Sequence, residues 1–254
     1  DVCSSDLAEF ADYFWPAVEQ YVECTHEYWR SNGKFTPNIT LRLASGGYIG
    51  GGLYHSQNLE GALTTLPGAR IVCPSFADDA AGLLRTSMRS KGFTLYLEPK
   101  ALYNSVEAAA VVPEEFEVPF GKARIRREGT DLTIITYGNT THFCLDVAER
   151  LAREGVGSVE VIDLRSLIPL DKEAIFASVR KTGKVMVVHE DKVFSGFGAE
   201  IAAQIAGEMF RYLDAPVQRV GSTFTPVGFN PILERAILPN DEKIYKAAKE
   251  LLEF

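Results

Sequence analysis

The sequence predicts an α/β protein in which parallel sheets are covered by helices on both faces. Short apolar, β-branched runs alternate with amphipathic segments of helical period, and this alternation produces parallel sheets. A second observation is the stretch over residues 104–125, whose prolines and acidic cluster lack periodicity. It divides the chain near residue 120. At 254 residues, the chain is long enough for two domains with a substantial core.

The first part is predicted to be the less regular one. An aromatic-rich helix is expected over residues 14–30, and a strand over 39–43 leads into a run of glycines. The remaining elements are a strand over 71–74, a helix over 77–90 and a strand over 94–97.

The second part alternates clearly between strands and helices. Residues 132–137 are a β-branched run that ends at Gly138, which is typical of a buried strand. Further strands are predicted over 159–164, 185–188 and 217–220, and helices over 141–154, 171–182, 198–213 and 241–254.

The composition excludes several classes of partner. A net charge of -8 argues against nucleic acid, because phosphate binding needs a basic surface. No apolar run approaches the ~20 residues of a membrane span. The cysteines form no CxxC pair, so neither a zinc site nor a disulfide framework is expected, and a cytoplasmic protein is favoured. They are Cys3, Cys24, Cys73 and Cys144.

We interpret residues 1–7 as sequence that does not belong to the natural protein. They read DVCSSDL, which matches the translated end of a common DNA-sequencing adapter. They have neither the basic start nor the apolar middle of a signal peptide. We therefore expect residues 1–7 to be an assembly artefact and the natural chain to be truncated before Ala8.

The strongest functional signal is the run GGYIGGGLYHSQ over residues 46–57. Its glycines let the backbone approach a ligand closely and adopt positive φ angles. His55 follows directly, with the hydroxyl of Ser56 and the amide of Gln57 beside it. This arrangement predicts a positioned acid–base group at His55.

Other candidates give weaker signals. Structural roles are expected for His26, on the aromatic helix, for His142, at a helix start, and for His189, which precedes two acidic residues. Gly196 and Gly198 open a helix, but position 201 is isoleucine, so the dinucleotide-binding fingerprint is incomplete. The chain contains neither a P-loop nor a nucleophile elbow.

Several motifs, in order along the chain, resemble one family closely. They are residues 9–17 (EFADYFWPA), 46–57, 66–68 (LPG), 78–84 (DDAAGLL), 98–103 (EPKALY), 161–165 (VIDLR) and 189–200 (HEDKVFSGFGAE). By these motifs the chain resembles the β subunit of the thiamine-diphosphate-dependent first component of 2-oxo acid dehydrogenase complexes. In some of these enzymes the α and β subunits are fused, and the chain would then correspond to the β half. This family belongs to the transketolase superfamily.

The resemblance implies two doubly wound domains. Residues 8–120 would be a partial pyrimidine-binding domain with a linker, and residues 121–254 a transketolase C-terminal domain. It also implies oxidative decarboxylation of a 2-oxo acid, either a branched-chain acid or pyruvate, with acyl transfer to lipoamide. The implied partners are an α subunit or fused α half and a dihydrolipoyl acyltransferase core. The expected location is the bacterial cytoplasm.

The resemblance also implies roles for particular residues. Thiamine diphosphate would lie between subunits, with its diphosphate and Mg²⁺ held by the α part and no metal held by this chain. Tyr13 matches an aromatic residue that packs on the aminopyrimidine ring, and His55 matches the active-site histidine. A histidine can exchange a proton near neutral pH, as acyl transfer requires. Ser56 and Gln57 would orient the loop.

Two departures from the family pattern bear on activity. The glutamate that binds the pyrimidine nitrogen precedes the motif at residues 9–17, so this chain lacks it and is expected to be inactive alone. Residues 89–92, where many members have an acidic ligand for potassium, read RSKG, and no potassium site is predicted.

Two alternatives stay open at this stage. One is a transketolase-type or deoxyxylulose-phosphate-type ketol transferase, although residues 46–58 contain no cation for a sugar phosphate. The other is a catalytically inert binding module.

Overall fold

The computed structural model describes residues 4–254, and the described strands form two five-stranded sheets. The strands are β1 (Ser4–Ala8), β2 (Ile39–Ser45), β3 (Ala69–Val72), β4 (Phe93–Pro99), β5 (Arg124–Arg127), β6 (Leu132–Thr136), β7 (Val159–Asp163), β8 (Ser166–Ile168), β9 (Val185–Lys192) and β10 (Gln218–Ser222). The α-helices are α1 (Val18–Arg30), α2 (Glu60–Leu63), α3 (Ala77–Arg89), α4 (Thr140–Arg153), α5 (Lys172–Thr182), α6 (Phe197–Glu208), α7 (Pro231–Ile237) and α8 (Asp241–Glu253).

The first sheet has the order β1-β2-β4-β3-β8, and the second has the order β10-β9-β6-β7-β5. Four neighbouring strands of each sheet are parallel, which confirms the predicted α/β class. The edge strands β8 and β5 run antiparallel to β3 and β7 and were not predicted. β8 lies in the second part of the sequence yet completes the first sheet.

Most predicted elements are present, with shifted ends. The helix expected over residues 14–30 begins as a 3₁₀ helix, Ala11–Ala17, which contains Pro16, and continues as α1. The helix expected over 198–213 ends at Glu208. Of the proposed adapter segment, residues 1–3, including Cys3, lie outside the described residues, and residues 4–7 belong to β1 beside β2.

The two sheets share a hydrophobic core. Leu43 and Leu95 of the first sheet belong to the same buried cluster as Ile135 and Val187 of the second. A separate cluster lies on the other face of the second sheet, under α4 and α8. Since apolar burial is the main favourable term in folding, the shared core holds the two sheets together. None of the helices in residues 4–254 is both long and apolar enough to cross a membrane.

Candidate active site

The glycine run and His55 lie in a loop that follows the carboxyl end of β2. We call residues 46–58 the His55 loop. Its two ends are joined, because the backbone N–H of Gly46 donates to the carbonyl oxygen of Gln57 at 3.1 Å. Gly46, Gly50 and Gly52 have φ values of 85°, 65° and 68°, which glycine adopts without strain. The loop therefore folds back on itself and presents His55 from its second half.

Tyr13 and His55 are in direct contact. The Tyr13 hydroxyl lies 2.7 Å from His55 Nε2, and which atom donates depends on the histidine tautomer. Phe10 packs edge-on against the imidazole, with 4.5 Å between ring centroids. Tyr13 keeps 52% of its surface exposed, so the pair faces outward. The structure brings together the two residues that the sequence predicted separately.

Asp12 connects the 3₁₀ helix to the His55 loop. Its buried carboxylate accepts a hydrogen bond from the Gln57 backbone N–H at 3.3 Å. The Gln57 side chain donates to the Leu53 carbonyl oxygen at 3.4 Å, inside the loop. Ser56 is buried, and its Oγ has no hydrogen-bond partner among the described residues. The hydrogen bond from Gln57 to Asp12 thus attaches the end of the His55 loop to the 3₁₀ helix that carries Tyr13.

Lys100 lies close to Phe10 and was not predicted as a site residue. It follows β4, and its Nζ donates to the Ala44 carbonyl oxygen at 3.0 Å and lies 5.3 Å from the Phe10 ring centroid. Burial lowers the pKa of Lys100 to about 8, while the negative charges of Asp12 and Glu190 act in the opposite direction. The site therefore includes a buried lysine beside Phe10, the ring that packs against His55.

Three carboxyl groups lie buried near the His55 loop. Burial is the main cause that raises the pKa of Glu60, Glu190 and Asp191, and the pKa of Glu60 reaches about 8. Glu60 accepts from the Tyr137 hydroxyl at 3.2 Å, and Asp191 accepts from the Gly61 backbone N–H at 3.1 Å. Two sequence signals pointed to Glu190 and Asp191: their place at the end of a predicted strand, where ligands often bind, and the motif over residues 189–200.

The remaining histidines lie apart from the Tyr13–His55 pair. His26 is exposed on α1, and His142 Nε2 lies 2.8 Å from the Ser75 carbonyl oxygen. His189 is fully buried and stacks on Tyr137 at 6.3 Å between centroids. Burial lowers the pKa of His189 to about 4, so its imidazole is neutral near pH 7.

The exposed side of the His55 loop is strongly apolar. Leu53, Tyr54 and Phe229 keep 51%, 70% and 75% of their surface exposed, and Phe229 lies against Gly52. Within residues 4–254, no group of three or more histidine, cysteine or acidic side chains is arranged to hold a metal ion. The site presents aromatic surface and the hydrogen-bonded Tyr13–His55 pair.

Comparison with known proteins gives consistent matches. Residues 121–244 match the family model for the transketolase C-terminal domain. The chain is 40% identical over 248 residues to the 2-oxoisovalerate dehydrogenase subunit beta of Bacillus subtilis, covering 97% of this chain and 75% of the relative. It is 39% identical over 226 residues to the pyruvate dehydrogenase E1 component subunit beta of the same organism, covering 89% of this chain and 69% of the relative.

A solved structure has a similar fold. It is described as a split-gene transketolase, an inactive beta4 tetramer, and it superposes with a TM-score of 0.73 at 21% identity. The match covers 98% of this chain and 75% of that chain. At this level of identity, the likeness concerns the fold alone.

Proposed function

We propose, since the chain belongs to the E1 β-subunit family of 2-oxo acid dehydrogenase complexes, that Tyr13 and His55 form its share of a thiamine diphosphate site. The chain is an oxidoreductase component, and its family implies thiamine diphosphate as cofactor. One observation carries the proposed site. The Tyr13 hydroxyl and His55 Nε2 lie 2.7 Å apart, on a face that remains exposed.

The residues present fit the aminopyrimidine half of this cofactor. The half-exposed ring of Tyr13 offers a surface on which a flat heterocycle can stack. The buried Ser56 Oγ, without a partner among the described residues, is a spare hydrogen-bonding atom beside His55. When bound, thiamine diphosphate would supply the carbanion chemistry, and the protein would supply binding and proton exchange. We assign the diphosphate and Mg²⁺ to an α subunit or fused α half.

His55 would exchange the proton that acyl transfer requires. Its Nε2 is held by the Tyr13 hydroxyl, and the Phe10 ring fixes the plane of the imidazole. The proton of this hydrogen bond would then be available to a group bound on the exposed side. The Tyr13 hydroxyl would therefore keep His55 in position and in the productive tautomer.

The substrate class that the relatives support is a 2-oxo acid. The relatives include subunits of a 2-oxoisovalerate dehydrogenase and of a pyruvate dehydrogenase, at 40% and 39% identity, so both a branched-chain 2-oxo acid and pyruvate are consistent substrates. We propose that the acyl group passes to a lipoyl group on a dihydrolipoyl acyltransferase core. The exposed apolar residues around Tyr54 would then contact a partner subunit. We propose the bacterial cytoplasm as the compartment.

The proposal is tested in the natural gene product assembled with its α subunit. We expect His55→Ala to reduce reductive acylation of a free lipoyl domain by about 100-fold or more, the scale of general acid–base catalysis. Decarboxylation with an artificial electron acceptor should fall less. Tyr13→Phe keeps the ring and removes the hydroxyl, so a fall of about 10-fold is expected.

His26→Ala is the matched control, because His26 is an exposed histidine on α1. It should leave both rates unchanged. Full reductive acylation by the His55→Ala enzyme would contradict the role of His55.

A further inference from the structure

The His55 loop is held largely by residues from the second part of the chain. The backbone N–H of Gly47 donates to Glu190 Oε1 at 2.5 Å, and the Gly50 N–H donates to Glu234 Oε1 at 3.3 Å. The Tyr48 hydroxyl donates to the Pro239 carbonyl oxygen at 2.6 Å. These contacts join segments separated by more than 140 residues in sequence, from 143 to 191 positions apart.

Glu190 contacts both ends of the loop. Its Oε1 accepts from the Gly47 N–H and from Asn58 Nδ2, the latter at 3.2 Å. Gly47 stands near the start of the loop, and Asn58 is its last residue. A single carboxylate oxygen therefore holds the two ends of the His55 loop together. Hydrogen bonds to a charged acceptor are stronger than those between neutral groups.

The contact between Glu190 and the loop depends on a glycine. A Cβ at Gly46 would lie 2.6 Å from Glu190 Oε1, and Gly46 has a φ of 85°. The carboxylate occupies the space that any larger residue would need. Glu190 itself is 6% exposed, and its backbone oxygen accepts from the Ser222 hydroxyl. The loop donors thus hold the side chain of Glu190, and the Ser222 hydroxyl holds its backbone.

The charged groups around Glu190 come from three elements. Lys100 follows β4, Asp191 is the next residue in β9, and Glu60 lies in α2. Lys100 favours the ionised carboxylate, while burial and Asp191 oppose it, and the two loop donors favour it. Burial raises the pKa of Glu190 overall, and the two loop donors are the strongest of the groups that act against that rise.

We infer that Glu190 is a positioning residue for the proposed reaction, because it bridges Gly47 and Asn58 and so fixes the loop that presents His55. This inference rests on the proposed role of His55. Glu190 does not contact the Tyr13–His55 pair in the structure, so its effect passes through the loop backbone. A displacement of a catalytic group by about 1 Å can cost on the order of 100-fold in rate.

The test uses the natural gene product assembled with its α subunit and four variants. Glu190→Ala removes the bridge, and Glu190→Gln keeps an acceptor oxygen. Asn58→Ala removes one loop donor without emptying the space beside β9. Glu160→Ala is the matched control, because Glu160 is also a buried carboxylate of the second sheet but bonds to Ser178 and Lys181.

Two readouts are compared, hydrogen exchange in peptides covering residues 46–58 and the rate of reductive acylation. For Glu190→Ala we expect exchange to accelerate by about 10-fold or more and kcat to fall by about 10- to 100-fold. Asn58→Ala should shift both in the same direction by less. Glu190→Gln should stay within about threefold of the unmodified enzyme, and Glu160→Ala should leave loop exchange unchanged.

Unchanged loop exchange and kcat in Glu190→Ala would overturn the inference. Equal losses in Glu190→Ala and Glu160→Ala would also overturn it, because general destabilisation would then explain the effect. The result is separable from the proposed function. If His55→Ala keeps full activity, the proposed function fails, whereas the exchange data still decide whether Glu190 holds the loop.

Discussion

At the scale of single residues, the buried carboxyl group of Glu60 makes folding depend on pH. Burial raises its pKa from 4.5 to about 8, and the nearby charge of Asp191 acts in the same direction. The folded protein therefore keeps a proton that the unfolded chain loses. The resulting stabilisation is complete below the unfolded pKa and is lost as the pH rises from about 4.5 to about 8.

Glu60→Gln should flatten this dependence, because glutamine has nearly the same shape and no proton to lose. We expect the free energy of unfolding of the unmodified protein to fall more steeply between pH 5 and 8 than that of the variant. The difference should be a few kcal/mol, since one pKa unit corresponds to about 1.4 kcal/mol. Guanidinium unfolding at several pH values measures it, with Glu23→Gln, an exposed carboxyl on α1, as control. Parallel curves for the unmodified protein and Glu60→Gln would refute the assignment.

Short local patterns predicted some site residues and could not predict others. His55 stands in a glycine run and could be singled out from that pattern, whereas Tyr13 was assigned only through the resemblance of residues 9–17 to a known family. Lys100 and Glu60 become site residues only when β4, α2 and β9 meet in the fold. Contacts at separations above 130 residues, such as Glu190 with Asn58, leave no local pattern in the sequence.

At the scale of elements, α6 packs on β9 through glycine at a defined position. A Cβ at Gly198 would overlap the His189 ring, whereas no described atom lies within 4 Å of a Cβ at Gly207 in the same helix. The first glycine therefore permits close packing of helix on sheet. The second serves no packing purpose and only lowers the intrinsic stability of the helix.

The two glycines of α6 should respond oppositely to alanine. Gly198→Ala should destabilise the fold by roughly 1–3 kcal/mol, the usual cost of overpacking. Gly207→Ala should stabilise it by about 0.5–1 kcal/mol, because alanine lowers the entropic cost of forming a helix. Denaturant midpoints of the two variants give the comparison. A stabilising Gly198→Ala would show that the helix does not pack on β9 as described.

Elements with a strong period were predicted, and short or irregular ones were not. β8 spans only Ser166–Ile168, which is too short to show alternation. α7 was missed although its start has a recognisable signal. Asn230 accepts from the Ile232 N–H, and Pro231 follows at the first helical position, which is a common helix start.

At the scale of the whole molecule, a buried ionic network joins the two sheets. Asp79 of α3 pairs with Arg126 of β5 and with Arg165, and Arg126 also pairs with Asp163 of β7. Asp79 and Asp163 are fully buried. Burial raises the pKa of Asp163, while Arg126 lowers it. The network connects a helix that covers the first sheet to the edge of the second sheet.

This network should contribute strongly to stability because the loss of one partner leaves buried charge uncompensated. Asp79→Asn keeps the shape of the side chain and removes its charge, and we expect a loss of roughly 3–5 kcal/mol. Asp78→Asn is the matched control, because Asp78 is the residue next to Asp79 and pairs with the half-exposed Arg124. This substitution should cost no more than about 1 kcal/mol.

Salt separates the two effects, and it tests whether the sheets are coupled through buried charge. Exposed ion pairs are screened at about 1 M salt, whereas buried ones are screened much less. The cost of Asp79→Asn in denaturant unfolding should therefore persist in 1 M NaCl, while that of Asp78→Asn should largely disappear. Because the first sheet carries the His55 loop and the second carries Glu190, Asp79→Asn should also accelerate hydrogen exchange in residues 46–58. If the loss of unfolding free energy caused by Asp79→Asn vanished in 1 M NaCl, water would reach the ionic network. The apolar core shared by the two sheets would then be what keeps Glu190 in contact with the His55 loop.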